Sequence, residues 1–434
     1  CTVDLCSPTT GCSNDPLPCD SDDPCIAASC EDGGCVLTPI DSPVCNGEGV
    51  GCNGSNGSSC DDENDGTTAD VCIDGLCRGF AKTNLQVAAN QGNLRITRVN
   101  FASGKWFMAA QIYGGSIGTV NQLLAYDATK PPEDIVNYPE TASTQAWTQL
   151  HEGFAVHDGG ELWRYDPASE SWSGENALGD TFIENNLIEP QSLWVYKESE
   201  KLLRLWAVGL PNDQAFPVLV CSEETLPNGT VDVDCDGQQL DTDYEEELLK
   251  AVSGTANCAG SGCTYHLLLG ADYPGNQGDY TDIFENYTGY DDAWDYTFND
   301  TQVQAGHTTY DVAPLGDQSY VIAGGGGYVR HRANNGTLSW LPELKNNQTQ
   351  RDFRGVWSGA GMVVMAATRN LNSGPDAEIW TANVTSNVTS GQSWAVLKLG
   401  DLAQGSIIHD VWGDDAGNIC VVGEEGSTAV IYRR

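Results

Sequence analysis

The apolar residues of this chain fall into short runs from about residue 85 to the C-terminal end, and Gly, Asn and Asp separate these runs. Trp106–Ala110 and Met362–Ala367 are continuous apolar runs with the length of a buried β-strand. Spacing typical of an amphipathic helix extends no further than the stretch Tyr244–Val252. The pattern therefore predicts an all-β domain.

The last third of the chain contains an internal repeat. Its phrases are Tyr-Asp-Val at 310–312, Arg-Gly-Val-Trp at 354–357 and His-Asp-Val-Trp-Gly at 409–413, and an apolar run follows each phrase. The valines of these phrases are 44 residues apart (312 to 356) and 55 residues apart (356 to 411). A period of this size is typical of a four-stranded propeller blade. Looser copies earlier in the chain predict about seven blades, with six or eight also open.

The segment 159–172, GGELWRYDPASESW, resembles a kelch-type blade in its paired glycines, its Tyr-Asp pair and its closing Trp172. The resemblance implies a propeller. The chain ends after what the pattern indicates is the third strand of a blade, so a strand from elsewhere must complete that blade. Residues 84–90 are the predicted donor, because such closure removes exposed strand edges. The predicted propeller spans residues 84–434.

The first 77 residues hold twelve of the seventeen cysteines and few large apolar residues. Such a segment cannot build a conventional core, so disulfides or metal must hold it together. No histidine occurs before His151, which argues against zinc. Residues 1–80 are therefore predicted to form a disulfide-rich repeat region that serves as a stalk or connector. Its phrase, C-x4-C-x(4 or 5)-C, occurs at Cys1, Cys6 and Cys12 and again at Cys25, Cys30 and Cys35.

This phrase resembles the short cysteine-rich repeats of large surface proteins of myxobacteria and related bacteria. The resemblance implies a surface or matrix setting, with no chemistry attached. We expect the polypeptide to extend upstream of Cys1, because the first repeat is truncated. Two accounts of the odd cysteine stay open: Cys1 lacks a partner in the given sequence, or Cys420 is a buried free thiol.

The formal charge is −41, from 61 acidic and 20 basic residues. A charge of this sign and size repels phosphate backbones, which excludes nucleic acid as a partner. No apolar run approaches the roughly 20 residues that a membrane-spanning helix needs, so we expect no direct membrane insertion. Together with the cysteine usage, these features predict an extracellular or cell-surface protein.

Two acidic segments have the spacing of calcium ligands. Asp232, Asp234, Asp236 and Gly237 form a D-x-D-x-D-G sequence, the opening of a calcium loop, in which alternate carboxylates converge where the chain turns at the glycine. Calcium is therefore the predicted cofactor, although flanking residues argue against an EF-hand. The first predicted ligand set is Asp232, Asp234, Asp236, Asp241 and Asp243, and the second, weaker set is Asp61, Glu63, Asp65 and Asp70.

Within the propeller, we expect one disulfide between Cys221 and Cys235 across a loop and another between Cys258 and Cys263 across a tight hairpin. The chain also contains nine N-x-S/T sequons, more than its composition would give by chance, and these predict a glycosylated surface. The predicted glycosylation sites are Asn53, Asn56, Asn228, Asn286, Asn299, Asn335, Asn347, Asn383 and Asn387.

The sequence contains no recognisable catalytic motif, since its six histidines form no H-E-x-x-H pattern and no G-x-S-x-G occurs. It therefore predicts a non-enzymatic extracellular structural or adhesive glycoprotein, in one version the repeating subunit of a surface filament or appendage. Its expected partners are other copies of itself, other surface proteins or glycans. The alternative is a secreted carbohydrate-active or ligand-binding propeller with its site at the central channel. Carboxylates and aromatic side chains that converge at one mouth of the channel would favour this alternative.

Overall fold

The computed structural model describes residues 50–434 with gaps, and the backbone of four short strands before residue 50. In two later strands, 280–286 and 295–299, the backbone alone is described. The gaps within residues 50–434 are 53–57, 63–66, 74, 86–92, 116–117, 128–134, 175–186, 200, 212–217, 239–247, 260–261, 274–279, 287–294, 300–307, 317, 336, 341–350, 372–373, 385–393, 400–404 and 415.

The cysteine-rich region contains short antiparallel strands. β1 pairs with β2 and β3 pairs with β4, each as a separate two-stranded sheet. β5 and β6 both pair with β7, which is long enough to leave the region and reach the propeller. The strands are β1 (Thr2–Ser7), β2 (Gly11–Pro16), β3 (Ile26–Glu31), β4 (Gly34–Pro39), β5 (Val50–Gly51), β6 (Thr67–Ile73) and β7 (Leu76–Leu85).

Six further sheets have four strands each, and the strands of each sheet are consecutive in the chain. In chain order, the first consists of β8 (Asn93–Ala102), β9 (Lys105–Gly115), β10 (Gly118–Asp127) and β11 (Val136–Ser143), and the second of β12 (Trp147–His151), β13 (Phe154–His157), β14 (Leu162–Asp166) and β15 (Ser171–Ser173). The third consists of β16 (Leu187–Lys197), β17 (Leu202–Pro211), β18 (Val218–Thr225) and β19 (Val231–Gln238), and the fourth of β20 (Leu248–Ala259), β21 (Gly262–Tyr273), β22 (Tyr280–Asn286) and β23 (Asp295–Asn299). The fifth consists of β24 (Thr309–Gly316), β25 (Ser319–Gly324), β26 (Val329–Arg332) and β27 (Leu338–Trp340), and the sixth of β28 (Arg351–Gly359), β29 (Met362–Leu371), β30 (Gly374–Asn383) and β31 (Ala395–Leu399).

The last three strands, β32 (Ser406–Gly413), β33 (Ile419–Glu425) and β34 (Thr428–Arg433), form the seventh sheet together with β7. The first strand of each sheet contacts the first strand of the next, and β32 contacts β8. The sheets therefore stand in a closed ring as the blades of a β-propeller. The prediction of an all-β propeller preceded by a disulfide-rich region is confirmed: in the described part of the chain, six blades are self-contained and β7 completes a further one.

The ring closes where Ala81–Leu85 of β7 pairs with β34. Of the predicted donor segment, Asn84 and Leu85 take part in this pairing, and residues 86–90 lie outside the described residues. The disulfides Cys52–Cys72 and Cys60–Cys77 link residues of β6 and β7 to the segment that precedes them. The predicted boundary between residues 80 and 84 thus lies inside β7, so the two regions share a strand.

All seven inner strands, β8, β12, β16, β20, β24, β28 and β32, contain a β-bulge at the same place in the register. A bulge inserts one unpaired residue and re-aims the side chains that follow it. Two positions after the bulge, each strand has an aliphatic residue that is at most 5% exposed. The bulged residues are Thr97, Thr148, Gln191, Lys250, Tyr310, Arg354 and His409, and the aliphatic residues are Val99, Leu150, Leu193, Val252, Val312, Val356 and Val411.

The hydrophobic core lies between neighbouring blades, as in the cluster that joins Val321 and Val329 to Phe353 and Met365. Cys420 is fully buried beside Tyr126 and forms no disulfide in the structure. In the described part of the chain, no helix has the length and hydrophobicity that crossing a membrane requires.

Candidate functional site

The residue three positions after each bulge forms a ring around one mouth of the central channel. Four members of this ring are aromatic or imidazole side chains, and they belong to the second, third, sixth and seventh blades. The fourth and fifth blades have Ser253 and Ala313 at this position. The complete ring is Asn100, His151, Trp194, Ser253, Ala313, Trp357 and Trp412.

A cavity of about 580 Å³ occupies this mouth. Its lining includes Ser253 and Ala313, and it also includes Trp194 and Trp357 from the blades on either side of them. The small residues leave the space that a tryptophan fills in the sixth and seventh blades. The cavity therefore lies where two adjacent blades have small residues at the ring position.

Glycines fix the tryptophans of the mouth. A Cβ atom at Gly359 would lie 2.3 Å from the Trp357 ring, and a Cβ atom at Gly413 would lie 2.6 Å from it. Both distances are shorter than carbon atoms tolerate, so Trp357 packs directly on the backbone of its own blade and of the next. This contact explains the glycine that ends the His-Asp-Val-Trp-Gly phrase. Trp194 also packs on a glycine: a Cβ atom at Gly254 would lie 3.2 Å from the Trp194 ring.

His151 supplies a hydrogen-bond donor to the mouth. Its Nδ1 accepts a hydrogen bond of 3.2 Å from the backbone N–H of Val195. Burial lowers the pKa of His151 to about 4, so the imidazole is neutral at physiological pH. A neutral imidazole that accepts at Nδ1 carries its proton on Nε2. The ring also contacts Trp412 edge to face, at 5.3 Å between centroids.

Two carboxylates, of Glu152 and Asp414, and three hydroxyl groups, of Ser103, Ser253 and Ser358, complete the polar part of the lining. Glu152 is exposed, and its positive φ of 49° places it in the tight turn between β12 and β13. Both oxygens of Asp414 accept hydrogen bonds from Asn418, which holds the loop after β32. Ser358 donates a hydrogen bond to the carbonyl oxygen of Pro314. Aromatic side chains and carboxylates thus converge at one mouth, as the ligand-binding alternative requires.

Deeper in the channel, two aspartates connect neighbouring blades. Asp311 accepts hydrogen bonds from the backbone N–H of Val312 in its own strand and of Val356 in the next blade, both at 2.8 Å. Asp410 does the same with Val411 at 2.9 Å and with Val99 at 3.0 Å. The aspartate of the repeated phrase therefore has a structural role in the contact between blades.

Burial raises the pKa of both aspartates. The pKa of Asp311 rises to about 7 because of desolvation and of the negative charge on Asp410. Desolvation also raises the pKa of Asp410 to about 6, although the positive charge on Arg98 opposes this effect. A second cavity beside these groups has a volume of only about 10 Å³, room for a single water molecule. This polar layer therefore narrows the channel behind the mouth.

The first predicted calcium loop is partly a strand. Asp232, Asp234 and Asp236 lie in β19, where alternate residues stand roughly 6.6 Å apart along one face. Asp236 also accepts a hydrogen bond from the N–H of Gly237. Asp241 and Asp243 lie outside the described residues, so calcium binding by all five carboxylates remains a prediction.

The second predicted set includes a carboxylate cluster. One oxygen from each of Asp61, Asp62 and Asp70 lies within 4.8 Å of the others. Asp62 was not among the predicted ligands, whereas the predicted Glu63 and Asp65 lie outside the described residues. Burial and then the two neighbouring carboxylates raise the pKa of Asp70, and a hydrogen bond from the N–H of Asp62 acts in the opposite direction. A divalent cation would relieve the repulsion among these groups.

We expect calcium to stabilise the protein through this cluster. At a calcium concentration a hundredfold above Kd, the free energy of unfolding should rise by about 2.7 kcal/mol. Asp70→Asn should remove this gain, whereas Asp166→Asn, at an exposed aspartate far from the cluster, should keep it. Thermal unfolding with calcium and with a chelator measures both effects. A gain that survives in Asp70→Asn would contradict the assignment.

The other predicted residues are distributed as follows. Disulfides join Cys221 to Cys235, across β18 and β19, and Cys258 to Cys263, across β20 and β21. Among the sequons, Asn228 and Asn335 are exposed, and Asn383 is half-buried. Side chains of the remaining six predicted glycosylation sites, Asn53, Asn56, Asn286, Asn299, Asn347 and Asn387, lie outside the described part of the chain.

No family model and no curated protein matches this chain. Solved structures with a similar fold include "YCF48 bound to D1 peptide", with 10% identity, a TM-score of 0.44 and coverage of 82% of this chain and 94% of that one. They also include the polysaccharide lyase PL25 ulvan lyase, with 10% identity, a TM-score of 0.45 and coverage of 81% and 96%. The endo-arabinase of Bacteroides thetaiotaomicron has 8% identity, a TM-score of 0.32 and coverage of 81% and 98%.

The comparisons correct one prediction from the sequence. The prediction of a protein without enzymatic activity is corrected: propellers of similar fold include an ulvan lyase and an endo-arabinase, so this fold gives no ground for excluding catalysis. At such low identity the likeness concerns the fold alone and assigns no reaction to this chain.

Proposed function

We propose that this protein is an extracellular carbohydrate-binding propeller whose site is the mouth of the central channel. The observation that carries the proposal is the cavity of about 580 Å³, in which Trp194, Trp357 and Trp412 surround the space left by Ser253 and Ala313. This volume lies within the range of roughly 300–1,000 Å³ found for small-molecule sites.

The chemistry of the lining supports a saccharide. The apolar C–H face of a sugar ring packs on an aromatic face, whereas its hydroxyl groups need donors and acceptors at the edge. The aromatic surface comes from the half-buried Trp412 and from the small exposed parts of Trp194 and Trp357, which are 7% and 6% exposed. The Nε2–H of His151 is a fixed donor, and the carboxylate of Glu152 is an acceptor at the rim.

The other features support an extracellular setting. Four disulfides join cysteines in the described part of the chain. Disulfides form and persist in oxidising environments such as the outside of the cell. The exposed sequons at Asn228 and Asn335 are accessible to glycosylation.

The kelch-like and myxobacterial-type resemblances remain hypotheses, and so does a role as an adhesive or filament-forming subunit. Sedimentation of the oxidised protein with and without calcium tests self-assembly, and a monomer under both conditions would exclude a filament.

Binding to a set of soluble oligosaccharides, measured by calorimetry, tests the proposed function. Trp357→Ala should weaken binding of the best oligosaccharide about tenfold, because it removes one stacking surface. Trp163→Ala, at a half-buried tryptophan of the second blade outside the mouth, should leave the affinity unchanged. Equal affinities of the two variants would contradict the proposed site. The same incubations, examined for new reducing ends, measure any cleavage.

A further inference from the structure

The lining of the mouth carries charge of one sign. Among the described residues that line it, Glu152 and Asp414 are carboxylates and none is a lysine or an arginine. His151 adds no positive charge, since burial lowers its pKa to about 4. The whole chain has a formal charge of −41. A cleft with walls of low dielectric constant concentrates such a field and attracts cations to the cavity.

The aromatic side chains of the lining also favour cations as ligands. The face of an indole ring is its electron-rich side, and it attracts ammonium groups more strongly than the rings of tyrosine or phenylalanine. Trp194, Trp357 and Trp412 come from three different blades and border one cavity. Three tryptophans with carboxylates at the rim form the type of enclosure in which proteins hold ammonium ligands.

The basic residues of the channel lie behind the mouth and not in its described lining. Arg98, Lys250 and Arg354 line the second cavity, which shares Trp412 with the mouth but has room for only one water molecule. Arg98 donates hydrogen bonds to the carbonyl oxygens of Thr148 and Thr97. A carboxylate or sulfate group of a saccharide in the mouth would therefore meet no cation in the lining.

We infer that the mouth selects saccharides with a free, protonated amine over neutral saccharides, and that it rejects saccharides with carboxylate or sulfate groups. The inference rests on the proposed function and adds the charge class of the ligand to it. The tryptophan faces and the carboxylate of Glu152 contact the ammonium group, and His151 donates a hydrogen bond to a hydroxyl or ring oxygen.

Titration with three oligosaccharides of equal length tests the inference. The probes are an oligomer of glucosamine, its fully N-acetylated counterpart and an oligomer of a uronic acid, at a pH at which the amine is protonated. The glucosamine oligomer should bind about tenfold more tightly than the acetylated one, and the uronate should not bind measurably. High salt should reduce the difference between the first two. Equal affinities of the amine and acetylated forms, or preferential binding of the uronate, would overturn the inference while the proposed function stands. If none of a wide set of saccharides binds, the proposed function fails as well.

A charge-neutralising variant gives a second measurement. Glu152→Gln keeps an acceptor oxygen but removes the charge, so it should weaken binding of the glucosamine oligomer about threefold more than binding of the acetylated oligomer. Glu140→Gln removes a charge from an exposed position on β11, outside the mouth, and should change neither value. A preference that is the same in both variants would show that the rim carboxylate plays no part in selection. Near-ultraviolet circular dichroism confirms that the tryptophan packing of each variant is intact.

Discussion

Replacing Ala313 with tryptophan is expected to abolish saccharide binding while the propeller stays folded. The equivalent ring positions of the sixth and seventh blades already have a tryptophan, at Trp357 and Trp412, in inner strands with the same bulge and register. In the fifth blade, Leu315 and Ser358 occupy the positions at which Gly359 and Gly413 make room for the Trp357 ring. The new indole should therefore extend into the cavity, the space that we propose for the ligand. We expect an affinity loss of at least about a hundredfold, since a filled pocket excludes the ligand sterically.

Calorimetric titration of Ala313→Trp with the best oligosaccharide measures this loss. Val396→Trp is the matched control, because it introduces the same side chain at a position that is 42% exposed on β31, remote from the mouth. An unfolding temperature close to that of the wild type establishes that Ala313→Trp is folded. Unchanged saccharide affinity in a folded Ala313→Trp variant would falsify the location of the site.

Removal of the carboxylate of Asp410 is expected to cause the largest loss of stability among single substitutions in the channel. Asp410 is 7% exposed, and it accepts hydrogen bonds from the N–H groups of Val411 and Val99. Asp410→Ala leaves both donors without this acceptor in a buried position, at a cost of about 1–3 kcal/mol for each. We therefore expect the free energy of unfolding in urea to fall by about 3 kcal/mol. Asp166→Ala should cost little, because the Asp166 carboxylate accepts its hydrogen bonds from the N–H of Ala168 and the hydroxyl of Ser169 at an exposed site.

The effect of Asp410→Ala should depend on pH. Desolvation raises the pKa of Asp410 to about 6 in the folded protein, from a usual value of 3.8. Because the folded state then binds the proton of the Asp410 carboxyl group more tightly than the unfolded state, protonation of this group stabilises the fold. This contribution to the free energy of unfolding is complete below about pH 4 and is lost as the pH rises through 6. Alanine does not titrate, so the difference between wild type and variant should be larger at pH 4.5 than at pH 8. A difference that grows towards pH 8 would show that the carboxylate is stabilised in its charged form. Asp410→Asn, which keeps one acceptor oxygen, provides the same comparison if the alanine variant does not fold.

The sequence predicted the propeller because its repeated phrases reflect backbone contacts between blades. Asp311 and Asp410 bond to the next blade, and Gly355 occupies the same register position in the blade between them. A Cβ atom at Gly355 would lie 2.5 Å from a carboxylate oxygen of Asp410. Contacts of this kind restrict a position to one or two residue types, and such positions are visible in a sequence.

The earlier blades hid the same architecture, since their inner strands have other residues at the position after the bulge. Arg98, Gln149, Ser192 and Ala251 share no chemical property that a repeat search would detect. The bulges align these strands with one another. A bulge is defined by pairing with the second strand of the blade, and the sequence alone does not show this pairing. Loop lengths that differ from blade to blade obscure this register in the sequence.

The candidate site was predicted only as a general location, the central channel. Its cavity depends on the small size of Ser253 and Ala313, and small residues in a strand are not a recognisable signal by themselves. Trp357 and Trp412 were visible in the repeated phrases, although their common position around the axis requires the register of seven strands. Once that register is known, the comparison of ring positions identifies both the tryptophans and the gap.

The pairing of β7 with β34 has a consequence for the way the protein is made. Asn84 lies opposite Val430, so the two halves of this contact are separated by almost the whole propeller. At roughly 5–20 residues per second, β7 leaves the ribosome about half a minute before its partner is synthesised. During that time Cys52–Cys72 and Cys60–Cys77 can form, and they tie β6 and β7 to the segment before β6 while one edge of β7 awaits β34. We expect that a delay in these disulfides would keep the ring open for longer and leave the edge of β34 unpaired, free to pair with another chain.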